Sequence, residues 1–254
     1  MKSSPKITAL LIAFNEEEFI ENYILSVDFV DELIIVDSFS TDKTCDIINE
    51  FPHVKLYQRK FDDFSSQKNY AIEQASNDWI IFFDADEVIT KPLKEEIINT
   101  VSIETEEVAY WIYRTTIYMG KEIHYSGLQN DKVIRLFRKE FCRYNGKLVH
   151  EEIDAKGKVG FLKNKMLHYS YKGIDEIIIK RNKYAQLQAE TLYKKGKKPI
   201  LFHFLVKPAF RFFKHFVLKR GFMDGFQGFM ISFVYSYTVF MRYVKLWLLH
   251  RNLK

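Results

Sequence analysis

Three acidic residues directly follow an apolar run in the segment DWIIFFDADEV, residues 78–88. The run WIIFF leads into Asp84, Asp86 and Glu87. Carboxylates this close repel one another unless a cation or water separates them. Oxygen ligands of this kind suit Mg²⁺ or Mn²⁺, which bind through one or two carboxylates together with substrate phosphates. The pair Asp84 and Asp86 therefore indicates a metal site that could neutralise a departing diphosphate.

The acidic segment has a simpler alternative. A solvated acidic loop explains two aspartates separated by one residue at least as well, because so short a motif recurs by chance. A calcium-binding EF-hand is not supported, since the required glycine and the later glutamate are absent. The choice between loop and site depends on what surrounds the segment.

Strand-like and helix-like segments alternate along the first hundred residues. Apolar runs predict strands, and helical spacing predicts the helices between them. The predicted strands are residues 7–14, 32–38, 54–59 and 79–83, and the predicted helices are 16–27, 40–51, 65–76 and 91–101. Strands that are apolar on both faces indicate a parallel sheet covered by helices. Aromatic and β-branched runs after residue 108 predict further strands, some of them antiparallel.

Polar residues stand where these predicted strands end. Asn15 and Glu16 follow the first strand, Asp37 follows the second, and Asp84 and Asp86 follow the fourth. Ligands of open α/β sheets bind at the carboxyl ends of the strands, so these residues are expected to line one site. Each also has an ordinary structural explanation: Asn15 as a helix cap and Asp37 in an Asx turn.

The charge of the chain is unevenly distributed. The 254 residues carry a formal net charge of +5, but residues 200–254 contain nine Lys or Arg and one acid, Asp224. The same segment holds 15 of the 41 aromatic residues. We therefore predict a domain boundary near Pro199, with one domain over 1–199 and a basic, aromatic tail over 200–254. The two cysteines, Cys45 and Cys142, favour a reducing compartment over a disulfide framework.

Four segments in order resemble a known family. They are LLIAFNEEEFI, ELIIVDSFSTDKTCDI, SSQKNYAIEQA and WIIFFDADEVI. Together, over about residues 6–170, the chain resembles the inverting glycosyltransferases of the GT-A fold, the large family 2 group. The pair Ser38-Phe39 stands where Asp-Gly is most common in that family. This variant, with VIRLFRK and LVHEEI further on, is similar to the branch that adds glucose to the lipopolysaccharide inner core.

The resemblance implies a fold and a donor site. The fold would be a mixed, mostly parallel sheet flanked by helices, followed by a helical, membrane-associating extension. Asn15 and Glu16 would lie beside the donor nucleoside, and Asp37 would accept a hydrogen bond from uracil. Lys68 would lie near the donor phosphates, although a solvated helix residue is the alternative. Asp84 would approach the ribose or the metal.

The resemblance also implies a metal site and a base. Asp86 would bind Mg²⁺ or Mn²⁺, and His168 could be a further ligand or a packed strand residue. An inverting transfer needs a carboxylate that removes the proton of the acceptor hydroxyl. Matching VHE assigns that base to Glu151, with Glu152 as the fallback and His150 as a residue that could orient it.

The basic tail predicts a membrane surface. LVKPAFRFFKHFVLKR places Lys207, Arg211, His215 and Lys219 four residues apart, on one face of a helix rich in Phe. Such helices bind anionic membrane surfaces. Residues 225–241 are uncharged but fall just short of a spanning helix. A helical subdomain that covers the sheet, or a dimer face, is the alternative. A nucleic-acid partner is not expected, because the rest of the chain is net acidic and carries no such motif.

These observations predict a metal-dependent inverting hexosyltransferase. It would move a hexose, with glucose expected, from a UDP-sugar to a lipid-linked or lipopolysaccharide-core glycan. It would act as a peripheral protein on a glycolipid acceptor at the cytoplasmic face of the inner membrane. In VIRLFRK, Arg135 or Arg138 could face an anionic acceptor or lie on a surface strand. A nucleotidyltransferase of similar fold, or a non-catalytic membrane-associated module that binds nucleotide sugars, remains the alternative.

Overall fold

A computed structural model of the chain describes residues 5–146, 152–169 and 173–253. Contacts divide the chain into two compact units. The first, here called the sheet unit, comprises Met1–Arg114 and Asp131–His168. The second, the helical unit, comprises Thr115–Asn130 and Tyr169–Lys254.

The strands and helices follow the predicted alternation through residue 102. The strands are β1 Ile7–Ala13, β2 Glu32–Asp37, β3 Val54–Gln58, β4 Trp79–Phe82, β5 Glu87–Val88, β6 Glu107–Tyr118, β7 Lys121–Ile123, β8 Lys132–Arg138, β9 Cys142–Tyr144, β10 Ile153–Ala155, β11 Lys158–Phe161 and β12 Met166–His168. The helices are α1 Ile20–Ser26, α2 Thr44–Asn49, α3 Phe64–Gln74, α4 Lys91–Ser102, α5 Ile174–Lys194, α6 Leu201–Phe213 and α7 Phe226–Arg251. A π-helical turn, Lys214–Leu218, and a 3₁₀ turn, Gly221–Asp224, join α6 to α7.

The main sheet is mixed, as predicted. Its strand order is β3-β2-β1-β4-β8-β6-β12-β5. Strands β3, β2, β1 and β4 are parallel, whereas β8 pairs antiparallel with both β4 and β6. The register sets Ala13 beside Asp37, and Asp37 beside Gln58. The carboxyl ends of β1, β2 and β3 therefore lie at one edge of the sheet.

Both faces of the parallel strands are buried. Successive strand residues point to opposite faces, so one strand contributes to two cores. On one face, Leu11, Ile35 and Ile81 pack in a cluster with residues of α1 and α4. On the other face, Leu10 and Ile80 pack with residues of α3. Burial on both faces explains why these strands appear in the sequence as continuous apolar runs.

The helical unit divides from the rest at a different point than predicted. We expected a boundary near Pro199, but α5 already belongs to this unit because it packs along α7. Residues 115–130 also belong to it, since Tyr118 and Ile123 pack with Ile231 and Val234 of α7. Within the described ranges, no helix is both long enough and apolar enough to cross a membrane.

The basic row of α6 is not on the outside of the helical unit. Lys207 and His215 are half-buried, as is Arg211 between them. The Nζ of Lys207 donates to the hydroxyl of Tyr243 at 2.7 Å, and the ring of His215 stacks on Tyr235 with centroids 4.4 Å apart. Within the predicted basic face, Lys207 and His215 therefore contact tyrosines of α7, whereas its fourth residue, Lys219, is exposed.

Candidate active site

The loops after β1 and β2 are tied together by Asn15. Its backbone N–H donates to the hydroxyl of Ser40 at 2.9 Å, and its Oδ1 accepts from the backbone N–H of Thr41 at 2.8 Å. Asn15 has a φ of 57°, in the left-handed region where asparagine is enriched. The residue before helix α1 is Phe19, so Asn15 does not cap that helix. Asn15 instead shapes the rim of the predicted nucleoside pocket.

The backbone of Glu16 is held by the start of α2. Its N–H donates to the hydroxyl of Thr44 at 2.8 Å, and Asp42 accepts from that same hydroxyl at 2.6 Å. The Glu16 side chain is half-buried. This hydrogen bond ties Glu16 to the segment that follows β2, and its place beside the donor nucleoside stays a prediction.

Asp37 is fully buried at the end of β2. Its carboxylate accepts from the backbone N–H of Ser40 at 3.0 Å, from the Ser40 hydroxyl, and from Nε2 of Gln58 at 3.3 Å. Burial and the adjacent Asp37 carboxylate raise the pKa of the Cys45 thiol to about 11, so this cysteine is not a nucleophile. Asp37 thus accepts the hydrogen bond of the turn after β2, which is the structural explanation offered above. The contact of its carboxylate with the uracil ring stays a prediction.

The variant pair Ser38-Phe39 includes a residue with an unusual backbone conformation. Phe39 has a φ of 62°, a conformation that glycine adopts without strain and other residues rarely adopt. Its ring is 52% exposed beside the buried Asp37. The Ser38 hydroxyl accepts from Nε2 of Gln67 at 3.1 Å. The loop therefore keeps the shape that the commoner Asp-Gly sequence would favour.

Lys68 is a buried cation, not a solvated helix residue. It lies on α3 and is 5% exposed. Its Nζ is 3.4 Å from Oδ1 of Asp84, and it lies over the rings of Tyr144 and Phe82, 5.1 Å and 5.8 Å from their centroids. Cations that approach aromatic faces in this way are attracted by the ring quadrupole. The structure thus joins Lys68 to the acidic segment, and its place near the donor phosphates stays a prediction.

Arg135 lies between two carboxylates of the acidic segment. It is 4% exposed on β8 and pairs with both Asp84 and Glu87. Its Nη2 donates to Oε1 of Glu87 at 2.8 Å, and its Nε is 2.8 Å from Oε2. Oε2 of Glu87 also accepts from the backbone N–H of Asp84 at 3.0 Å, which closes the turn. Neither sequence alternative for Arg135, an acceptor contact or a surface strand position, describes this contact.

The charges of this cluster compensate one another. Burial would by itself raise the pKa of Asp84, but the charges of Arg135 and Lys68 outweigh that effect and hold the pKa well below its usual value. Asp84 is therefore ionised throughout the physiological range. Arg114 also belongs to this cluster. Its Nε and Nη2 donate to the carboxylate of Asp131 at 2.9 and 2.8 Å, and its Nη1 lies 3.4 Å from Oε1 of Glu87. Arg114 was not among the residues predicted from the sequence. Its position as a charged residue inside the apolar, aromatic run AYWIYRTTIYM could have indicated it.

Asp86 and His168 meet although they are far apart in sequence. Antiparallel pairing of β12 with β5 sets His168 opposite Glu87, and Nε2 of His168 is then 3.3 Å from Oδ2 of Asp86. Asp84, the third predicted ligand, is turned to Arg135 and Lys68. Accordingly, no cluster of three or more His, Cys, Asp or Glu side chains with metal-binding geometry occurs among the residues described. A carboxylate and an imidazole still fit a divalent cation that takes its other ligands from diphosphate oxygens.

The predicted base lies outside the described residues. Glu151 and His150 both belong to the undescribed range 147–151. The fallback Glu152 is exposed, and its backbone N–H donates to Oδ1 of Asn145 at 3.4 Å. The assignment of the base to Glu151 stays a prediction.

Comparison with known proteins identifies the family. A model described as glycosyl transferase family 2 matches residues 8–156. An uncharacterized glycosyltransferase of Rickettsia bellii is 32% identical over 253 residues, which cover 95% of this chain and 86% of that protein. The lipopolysaccharide core biosynthesis glycosyltransferase LpsC of Rhizobium meliloti is 27% identical over 250 residues, which cover 96% of this chain and 93% of LpsC. The chain belongs to glycosyl transferase family 2 and is a glycosyltransferase.

A solved structure confirms the fold. The mannosyltransferase PcManGT of Pyrobaculum calidifontis, in complex with GDP-Man and Mn²⁺, matches with a TM-score of 0.56 and 13% identity. The match covers 96% of this chain and 88% of that one. The predicted GT-A fold, a mixed sheet flanked by helices with a helical region at the carboxyl end, is therefore confirmed.

Proposed function

We propose that the protein transfers a hexose from a nucleoside-diphosphate sugar to a lipopolysaccharide-core or lipid-linked glycan, with inversion at the anomeric carbon. One observation supports this most directly: Asp86 and His168 are paired beside Asp84, a half-buried carboxylate that pairs with Arg135 after the end of β4. The relative LpsC, a lipopolysaccharide core biosynthesis glycosyltransferase, supports the class of acceptor. The resemblance of Ser38-Phe39, VIRLFRK and LVHEEI together to the branch that adds glucose supports glucose as the transferred hexose.

In this proposal the donor lies along the ends of β1, β2 and β4. Asp37 accepts a hydrogen bond from the uracil ring, and Asn15 and Glu16 border the nucleoside. Asp84 accepts hydrogen bonds from the ribose; its pairing with Arg135 and Lys68 keeps it anionic for that task. The cation of Lys68 adds positive potential near the donor phosphates.

Asp86 and His168 are the residues that would hold Mg²⁺ or Mn²⁺. Such an ion, when bound, neutralises the charge that develops on the diphosphate as it leaves. The chain itself contributes the carboxylate of Asp86 and the imidazole of His168. The Mn²⁺ in the PcManGT complex agrees with an ion of this kind.

The transfer itself needs one proton acceptor. The acceptor hydroxyl attacks the anomeric carbon from the face opposite the diphosphate, the bond to the diphosphate breaks, and the proton passes to a carboxylate. We assign that carboxylate to Glu151. The products are the lengthened glycan, the nucleoside diphosphate and a proton that the base later releases.

Calorimetric titration tests the donor site. UDP-glucose, UDP-galactose, UDP-N-acetylglucosamine, GDP-mannose and dTDP-glucose are titrated with and without Mn²⁺. We expect metal-dependent binding of one UDP-hexose, and a loss of about tenfold or more in affinity for Asp86→Ala. The matched control is Asp78→Ala, because Asp78 is a half-exposed acid just before the other end of β4. Absence of binding by every donor in the presence of metal would contradict the proposed donor site.

A second pair of variants tests the base. We expect Glu151→Gln to lower kcat by a factor of about a hundred or more while the donor binds with unchanged affinity. Glu152→Gln is the neighbouring control and should keep most of the activity. A large loss of kcat in Glu152→Gln alone would move the assignment to Glu152.

A further inference from the structure

The helical unit exposes an unusual number of large apolar side chains. Residues 200–247 are less than a fifth of the chain, yet they contain 16 of the 31 exposed large apolar side chains among the described residues. Along α6 and the π-helical turn these are Leu201, Phe202, Leu205, Val206, Phe210, Phe213, Val217 and Leu218. We call this set the apolar face. Leu201 is 72% exposed and Leu205 is 60% exposed, so the face is open to solvent.

The opposite side of α6 is turned inward and combines polar residues with apolar ones, namely His203, Lys207 and Arg211 with Phe204, Pro208 and Phe212. His203 stacks on Tyr243 with centroids 4.5 Å apart, and Lys207 donates to the hydroxyl of the same tyrosine. An amphipathic helix on a protein surface ordinarily does the reverse, with its apolar stripe on the core and its charges in water. The orientation of α6 is fixed by contacts, since Pro208 is buried and its carbonyl accepts from the hydroxyl of Ser236 on α7 at 2.8 Å.

A second aromatic group lies in the two turns and α7, and the half-buried Phe212 joins it to α6, with ring centroids 5.3 Å from Phe216 and 5.6 Å from Phe229. The ring of Phe216 in the π-helical turn lies 6.4 Å from Phe222 in the 3₁₀ turn and 6.1 Å from Phe229 on α7. Phe229 in turn contacts Phe226 and Phe233. Except for the half-buried Phe212 and Phe216, all of these phenylalanines are at least 40% exposed. The exposed rings therefore form one surface that is continuous across three segments, and this surface lies wholly in the helical unit.

Exposed cations stand at both ends of α6. Lys197 and Lys198 precede the helix, and Lys214, Lys219 and Arg220 follow it. The single acid in residues 191–253, Asp224, is 2% exposed and accepts hydrogen bonds from the loop at residues 124–126. The apolar face is thus bordered by positive charge.

We propose that the apolar face binds the surface of an anionic phospholipid bilayer, with its phenylalanines and leucines in the acyl boundary and its lysines at the headgroups. Apolar insertion together with Lys and Arg is the combination that holds helices in the plane of such membranes. A second copy of this chain suits the face less well, because a twofold interface would bring the same cations of both copies together. The surface stands independently of the donor site, so its test does not require activity.

Vesicle sedimentation tests the proposal. The full chain is mixed with vesicles of phosphatidylcholine alone or with about a third phosphatidylglycerol, in the absence of donor. We expect the chain to sediment with the anionic vesicles and much less with the neutral ones. High salt should weaken binding to anionic vesicles, because it screens the contribution of the lysines.

Matched substitutions identify the surface. The double variant Leu205→Glu with Phe210→Glu should lose at least about tenfold in vesicle affinity, because two charges would enter the acyl boundary. Ile179→Glu is the control, since Ile179 is 70% exposed on α5, outside the apolar face. Lys214→Gln with Lys219→Gln should lower the preference for anionic over neutral vesicles. Thermal unfolding of each variant checks that the fold is kept.

Quenching by brominated lipids distinguishes insertion of the apolar face into the acyl region from binding of the lysines to the headgroups alone. Tryptophan fluorescence of Phe210→Trp should be quenched by anionic vesicles with brominated acyl chains more strongly than that of Phe64→Trp, whose site on α3 is 50% exposed. Three results would overturn the proposal: a wild-type chain that stays in solution with both vesicle types, a double glutamate variant that binds like the wild type, or self-association without lipid that the same double variant abolishes.

Discussion

The two units depart from the usual distribution of polarity in opposite directions. The sheet unit buries charges: Lys68, Arg135 and Glu87 are each 5% exposed or less. The helical unit exposes apolar side chains along α6. Both are the informative exceptions in a folded protein, because buried charge and exposed apolar surface each cost free energy in water. The cost of the buried charges is offset by ion pairs inside the sheet unit. The cost of the exposed apolar surface is not offset by contacts within the described part of the helical unit.

The two units therefore differ in whether their unusual residues have partners within the protein. Two buried carboxylates of the sheet unit, Glu87 and Glu32, have the cations of Arg135 and Lys55 at hydrogen-bonding distance, so their charges are paired within the unit. The apolar face has no such compensation within the described part of its unit, and we assign that role to lipid. Under the two proposals, the sheet unit organises charge for an anionic donor, and the helical unit leaves an apolar surface for lipid.

The largest effect is expected from removing the cation that holds the sheet site together. Arg135→Met leaves Asp84 and Glu87 without their common partner, and breaking a buried ion pair costs about 3 to 5 kcal/mol. Urea unfolding measures the loss. Arg138→Met is the control, because Arg138 lies on the same strand, is 28% exposed and is 3.8 Å from its acid. An equal loss in both variants would mean that burial of charge is not what matters here.

The buried carboxylate of Glu32 should make the stability of the folded state depend on pH. Glu32 begins β2 and accepts from Lys55, Thr8 and Ser76 at distances between 2.6 and 2.8 Å. Burial opposes ionisation, but these hydrogen bonds outweigh it and lower the pKa of Glu32 to about 2. The folded state therefore gains stability above the unfolded pKa of about 4.3 and loses it as the pH falls towards 2.

Glu32→Gln should accordingly destabilise the protein by about 3 kcal/mol near neutral pH. The difference between variant and wild type should shrink as the pH is lowered from about 5 to about 2, because Glu32 then becomes protonated in the wild type as well. Urea unfolding at several pH values measures this. A difference that is constant over that range would show that charge on Glu32 does not contribute.

An intermediate effect is expected for the buried acid of the helical unit. Asp224 accepts from the backbone N–H groups of His124 and Tyr125, both at 3.0 Å, and from the Ser126 hydroxyl at 2.9 Å. In Asp224→Asn one acceptor oxygen is replaced by a donor, which leaves a buried N–H unpaired and costs about 1 to 3 kcal/mol. Thermal unfolding should show a lower Tm. The exposed control Glu122→Gln should shift Tm little.

The smallest effect on stability is expected at the apolar face. Leu205→Glu places a charge where the side chain already contacts water, so the free energy of unfolding without lipid should change by about 0.5 kcal/mol or less. Urea unfolding in plain buffer checks this. A large destabilisation would mean that Leu205 is covered in solution, which would remove the contrast between the two units.

Much of the sheet unit could be predicted from the sequence. The strands β1, β2 and β4 appear as apolar runs because both faces are buried, and that burial dictates residue type position by position. The polar residues at their ends followed from topology, since parallel strands bring their carboxyl ends to one edge. Partners across the sheet could not be predicted. Arg135 reaches Asp84 only because β8 pairs antiparallel with β4, and His168 reaches Asp86 only because β12 pairs with β5.

The sequence by itself determined the family, the alternation of the first four strands with helices, and a helix with one basic and one apolar side. Each of these depends on local periodicity or on the order of motifs along the chain. Only the tertiary structure decided which side of α6 faces outward, and it placed the basic side on the tyrosines of α7. A helical period defines two sides but not which one a neighbour covers, because that choice depends on contacts between residues far apart in sequence.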